Sequence, residues 1–208
     1  MKAKLKGHIA MAMALTILTT ATLSAQQTLT LRGELDEGKS TGCYYCPNVP
    51  WTIKFSETPV RSKTIDLKPF KDASAQLILT GYWDRSVTPH GLEVTSVQVV
   101  TESLSVNNSA RTGQPLRYTT YGPSDSVAAT VIASGNGFVP LFGTALLLDP
   151  ASLFLLGANV INGGQWRFDL VIPSDPSLIG IRFWSQSLVV PPNAAPYSTN
   201  PGRTTVDR

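Results

Sequence analysis

Apolar and polar residues alternate along most of this chain with the period of strands, not of helices. From Thr28, Leu29, Leu31 and Leu35 fall on one face and Thr30, Arg32 and Glu34 on the other. Gly33 interrupts the apolar face, where a bend is expected. "PWTIKF", Pro50 to Phe55, sets Trp51, Ile53 and Phe55 against Thr52 and Lys54. "TIDL" supplies Ile65 and Leu67 to a third strand, and "AQLILTGYW" puts Leu77 and Leu79 on one face before Gly81. "HGLEVTSVQVV" pairs Leu92 with Val94 and then Val97 with Val99, and this slip of one residue predicts a bulge near Thr95-Ser96. Five strands are thus expected within 27–104.

Residues 105–126 are polar, with Asn, Gly and Pro, and read as a linker carrying only a short strand at Leu116 to Thr120. A second module is expected over 127–208, beginning with a strand at Val127 to Ile132. Its most apolar passage is "FGTALLLDPASLFLLG", Phe142 to Gly157. As a membrane span it would place Asp149 near the bilayer centre, at about 2.5–3.5 kcal/mol, among several helix breakers. As one buried helix it would carry a proline clash and an unpartnered charge. Two pieces fit better: Thr144 to Leu148 as a buried strand, Asp149-Pro150 capping a turn, and Leu153 to Leu156 re-entering the core. After Asn162-Gly163-Gly164, a hairpin-type connection, Trp166, Phe168 and Leu170 alternate with Arg167 and Asp169. A second Asp-Pro turn leads into "IGIRFWSQSLVV", a long strand with Ile179, Ile181 and Phe183 on one face.

Composition agrees with this pattern: 16 Gly, 15 Pro and only 15% charged residues suit short strands joined by tight turns. The chain reads as all-β. Residues 1–25 form a basic start, an uncharged run and a small residue at Ala25, which is the plan of a secretory signal peptide. The protein is therefore expected to be secreted or periplasmic, with no transmembrane segment in the mature chain. Three of the 17 Lys and Arg lie in that segment and none of the 14 Asp and Glu, so the rest is formally neutral. A neutral chain lacks the basic footprint of a nucleic-acid binder.

Gly143-Thr144, Leu146 to Pro150, Leu156-Gly157, Gly164, Trp166, Phe168, Leu170, Ile172-Pro173, Pro176, Leu178, Gly180, Phe183-Trp184, Gln186 and Leu188 to Val190 follow one another in a recognisable order. On these residues the stretch Gly137 to Val190 resembles a C-terminal module of uncharacterised exported bacterial proteins. The resemblance implies a small antiparallel β-sandwich and no catalytic residue. Residues 27–104 resemble, more loosely, a five-stranded oligonucleotide/oligosaccharide-binding (OB) barrel, through the five strands, "LILTGYW" as the fourth and "GLEVTSVQVV" as the fifth. The departure lies between strands three and four, where such barrels often place a helix and this chain has only "KPFKDASA".

Cys43 and Cys46 are the only cysteines, and in an oxidising compartment a disulfide between them is expected. It would close a very short loop, contribute about 2 kcal/mol, and stiffen that loop without holding the fold. A redox role would need a thiolate at a helix N-terminus, and Pro47 and a strand follow instead. A zinc site would need ligands beyond these two cysteines and His90. No nucleophile, metalloprotease or phosphate-loop motif occurs, so no catalytic residue, metal or cofactor is assigned; a hydrolase with converging carboxylates stays as an alternative. In an OB-type barrel the loops joining strands one to two and four to five flank the ligand face. Here they carry Tyr44, Tyr45, Trp83, Asp84, Arg85 and His90, whose rings and polar groups suit a glycan or protein ligand. The competing reading is that the tyrosines cover the barrel end, the tryptophan packs and His90 is solvated. A non-catalytic binding or surface-assembly protein is expected, or a structural subunit that self-associates through sandwich edges.

Overall fold

The computed structural model describes residues 28–38 and 51–208. The expectations for the signal segment 1–25, for the disulfide between Cys43 and Cys46, and for Tyr44 and Tyr45 lie outside the described residues. The chain is all-β. Strands β1 (Thr28–Glu37), β2 (Trp51–Ile53), β3 (Thr58–Arg61), β4 (Gln76–Asp84) and β5 (Gly91–Val100) form a closed barrel in the order β1-β2-β3-β5-β4. β1 serves two neighbours: Thr28 to Glu34 pair with β4, and Leu35 to Glu37 with β2. At the crossing, a Cβ on Gly33 would fall 2.5 Å from a methyl of Ile53, so the strand can pass here only without a side chain. The inward residues Leu29, Leu31, Leu35, Ile53, Leu77, Leu79, Leu92 and Val94 build the barrel core. The bulge falls where the parity slip puts it. Thr80 pairs with Ser96 and Gly81 with Val94, leaving Thr95 unpaired.

Three expectations for the barrel change. The third strand is Thr58–Arg61, not "TIDL"; Leu67 is buried and Ile65 packs on the core, but both lie between elements. Pro59 sits opposite Thr52 of β2, before the pairing of β3 with β5 begins at Val60. "KPFKD" forms a one-turn helix, α1 (Lys68–Asp72), with Pro69 in its first turn, and the barrel closes with a helix between strands three and four. β2 ends at Ile53, so Phe55 is not on its inner face but in the following turn, at φ 67°.

The second part is a sandwich. One sheet has the order β12 (Phe154–Val160), β9 (Val127–Ala133), β14 (Arg182–Val190), β16 (Gly202–Asp207), β7 (Ser109–Arg111), with β15 (Tyr197–Ser198) also on β14. The facing sheet has the order β13 (Gln165–Val171), β8 (Pro115–Tyr121), β6 (Leu104–Val106). All of these pairs are antiparallel except β16 with β7. Tyr118, Leu116, Leu104, Ile172 and Val206 are buried between the sheets, and the rings of Tyr118 and Phe168 stack with centroids 5.0 Å apart. Hydroxyls pin the layers together. Ser187 on β14 lies 2.9 Å from Thr120 on β8 and 2.7 Å from Thr130 on β9, so three buried polar groups satisfy one another.

The stretch 105–126 is therefore not a plain linker. It carries β7 and β8, and with Leu104 it supplies Ala110, Leu116 and Tyr118 to the sandwich core, while polar residues such as Ser109, Arg111 and Arg117 lie on the exposed faces of those strands. Thr144 to Leu148 are buried as expected, with Thr144–Leu146 forming β11 against β10 (Val139–Leu141). Asp149 accepts hydrogen bonds from the Ala151 N–H and the Ser152 hydroxyl and caps the turn Pro150–Ser152. Ala145 and Leu147 pack into the barrel core, which makes this passage the join between the two parts. Phe154 and Leu155 do not re-enter the core; they are exposed, and only Leu156 packs inward. The long strand begins at Arg182, leaving Ile179 and Ile181 exposed. β12 and β13 are joined across the sandwich by one isolated bridge, Asn162 with Gln165, and do not form a hairpin.

Candidate functional site

The loop between β4 and β5 is knitted to itself. Asp84 is buried, and its Oδ1 accepts from the Ser86 hydroxyl at 2.6 Å and the Ser86 N–H at 2.8 Å. These bonds hold its carboxyl below the usual carboxylate range. Nη2 of Arg61 donates to the Pro89 carbonyl at 2.6 Å, and Nδ1 of His90 lies 3.2 Å from the Val87 carbonyl. Trp83 packs on the barrel core with one ring face covered by Phe138, centroids 3.8 Å apart and 20° between planes. Arg85 and His90 point to solvent. Among Trp83, Asp84, Arg85 and His90 the structure thus brings together a turn and a packed indole, with two exposed polar side chains beside them. Among the described residues no three His, Cys, Asp or Glu gather as a metal would need, and no helix is long and apolar enough to cross a membrane.

A different surface departs from ordinary strand patterning. Ala128 and Val189 are buried inside the sandwich, so their register neighbours one residue along point outward. The outward row is Val160, Val127 and Val190, adjacent on β12, β9 and β14 and exposed by 40%, 47% and 40%. Beside it Ala158 pairs with Ala129, and Leu155, 40% exposed, pairs with Val131. A sheet face turned to water normally carries polar residues; this part carries none that is charged.

The same patch ends in an unprotected edge. β12 pairs with β9 on one side and with nothing among the described residues on the other. Its sequence, FLLGANV, has neither charge nor proline. The remaining edges are guarded by familiar means: β6 and β7 have three residues each, and β13 presents Arg167 and Asp169 outward. Asp169 forms a two-pronged pair with Arg117 on β8, at 2.9 and 3.0 Å. The sequence signal for this patch was the near-continuous apolar run "VAATVIA" with "FLLGANV". Such runs mark strands with both faces apolar, and only one of those faces meets the core here. No protein-family model, no curated protein and no solved structure matches this chain.

Proposed function

We propose that the protein is an exported, non-catalytic assembly component that self-associates through β12 and the aliphatic face beside it. One observation carries the reading: the only long edge of the sandwich without a charge or proline adjoins the only outward face lined by valine, leucine and alanine among the described strands. An open edge offers a row of N–H and C=O groups to an incoming strand. Two copies of β12 can pair antiparallel without placing like charges opposite each other, because FLLGANV is uncharged. The exposed side chains of β12 then gain cross-strand neighbours on the same face of the extended sheet. Export, expected from residues 1–25, and the likeness of Gly137 to Val190 to a module of exported proteins fit a role in surface assembly.

Light scattering coupled to size exclusion over a range of concentrations tests the reading. The protein lacking residues 1–25 is expected to shift to dimers or larger species as concentration rises. Ala158→Lys and Val160→Lys place a charge on exposed edge positions where the fold tolerates one, and each is expected to restore a monomer with an unchanged circular dichroism spectrum. A wild-type protein that stays monomeric at every concentration, or association that persists in both lysine variants, removes the proposal.

A further inference from the structure

Where the barrel meets the sandwich lies a cleft of about 200 Å³, which shares no residue with β12. Its lining brings Phe55, Leu104 and Val106 together with Glu34, Lys54, Gln76, Glu102 and Asn108. Phe55 is half-buried in the turn after β2 with φ 67°, a conformation an aromatic residue seldom adopts. The turn is fixed by Ser56, whose N–H and hydroxyl both donate to the Ile53 carbonyl, at 3.1 and 2.9 Å. A strained residue held this firmly points to a use for the ring it presents.

The polar lining is largely unspent. Nζ of Lys54 donates to Glu34 Oε1 at 2.8 Å, and Oε2 takes no hydrogen bond from the described residues. The side chains of Gln76, Glu102 and Asn108 have no hydrogen-bond partner among the described residues. Glu34 and Glu102 line the cleft together with Lys54, and two cations lie over the Phe55 ring: Nζ of Lys54 at 5.6 Å and the Arg203 guanidinium at 5.2 Å from its centroid. The local charge cancels, which favours neither a cationic nor an anionic ligand. Carboxylates and amide oxygens leave an excess of acceptors, and these suit a ligand rich in hydroxyl donors. The volume falls below the ~300–1,000 Å³ of pockets for drug-sized molecules, which limits the occupant to one ring.

We infer that this cleft binds a single uncharged sugar ring, with hydroxyls on Glu34, Gln76, Glu102 and Asn108 and the ring beside Phe55. The site stands apart from the assembly edge, and either can fail without the other. The test is a titration of isotope-labelled protein with neutral monosaccharides, glucose, galactose, mannose and N-acetylglucosamine, followed by backbone amide shifts. The expected result is saturable shifts centred on Phe55, Gln76 and Asn108 for at least one sugar. Gln76→Ala with Asn108→Ala is expected to weaken that binding at least tenfold while the remaining spectrum stays that of the wild type. No saturable shift at tens of millimolar for any of the four sugars overturns the inference. So does saturable binding whose shifts map to Arg85 to His90, or binding that the double variant leaves unchanged.

Discussion

Oδ1 of Asn200 accepts the backbone N–H of Ser103 at 2.9 Å and its hydroxyl at 3.1 Å, and so fastens the exit of the barrel to the last strands of the sandwich. The same oxygen takes the Leu104 N–H at 2.9 Å, and Nδ2 returns a bond to the Leu104 carbonyl at 2.9 Å. All three residues are buried. Asn200→Ala orphans several main-chain and side-chain groups at once, each worth about 1–3 kcal/mol when left unsatisfied. A loss of about 2–5 kcal/mol is expected in urea unfolding. Asn108→Ala removes an exposed side chain with no hydrogen bond among the described residues and is expected to stay within about 0.5 kcal/mol of wild type. Equal stability of the two variants would contradict the bonding described.

The stack between Trp83 and Phe138 joins β4 to the segment leading into β10. Its energy beyond simple burial is expected to appear as coupling. In a double-mutant cycle, Trp83→Ala and Phe138→Ala together should cost less than the sum of the two singles by about 0.5–1.5 kcal/mol. Additive losses would mean that the rings do not meet in solution.

Strand positions were legible in the sequence wherever one face is buried and the other wet. β1, β4 and β13 follow the apolar alternation, and the slip between Val94 and Val97 located the bulge at Thr95. The two Asp-Pro turns were legible as well, since Asp149 and Asp175 cap them as their side chains allow. What failed has a common cause. Leu67, Leu116 and Tyr118 are core residues in polar surroundings, and short strands such as β3 and β7 carry too few residues to show a period. Phe55 fits the alternation of β2 but leaves it because the turn holds the residue at positive φ. The candidate surfaces were hidden for another reason: the partners that decide them are distant in sequence. An apolar run does not tell which of its faces stays open, and Asn108 comes beside the β1–β4 partners Glu34 and Gln76 only where the sandwich meets the barrel.

Asp84 gives the β4–β5 turn a dependence on pH. Its bonds from the Ser86 hydroxyl and N–H stabilise the charged form, so the folded pKa lies below the unfolded value of about 3.9. For a depressed carboxyl the stabilisation is complete above the unfolded value and disappears as pH falls through the folded one. Asp84→Asn keeps an acceptor oxygen and loses the charge. Its unfolding free energy is expected to be lower at neutral pH and to fall less than that of wild type on acidification to about pH 3. Parallel acid losses in the two proteins would show that Asp84 contributes no such term.

Among the barrel glycines, Gly81 is the most tightly closed to a side chain. It pairs with Val94 beside the bulge, and a Cβ there would stand 1.9 Å from the Glu93 carbonyl oxygen and 2.8 Å from its carbon. Both are main-chain atoms, so no rotamer change relieves the overlap; β4 and β5 would have to separate at the centre of their pairing. Overfilling a packed site costs about 1–3 kcal/mol when side chains can yield. Gly81→Ala is therefore expected to reach or exceed the upper end of that range, or to leave the protein unfolded. Gly135→Ala provides the comparison, because its Cβ would meet only the Asp149 Cβ at 3.6 Å, an ordinary contact. Urea midpoints, or soluble yield and circular dichroism if the first variant does not fold, distinguish the two. A Gly81→Ala protein as stable as Gly135→Ala would mean that Glu93 does not sit across from residue 81, and the bulge at Thr95 would have to be placed elsewhere.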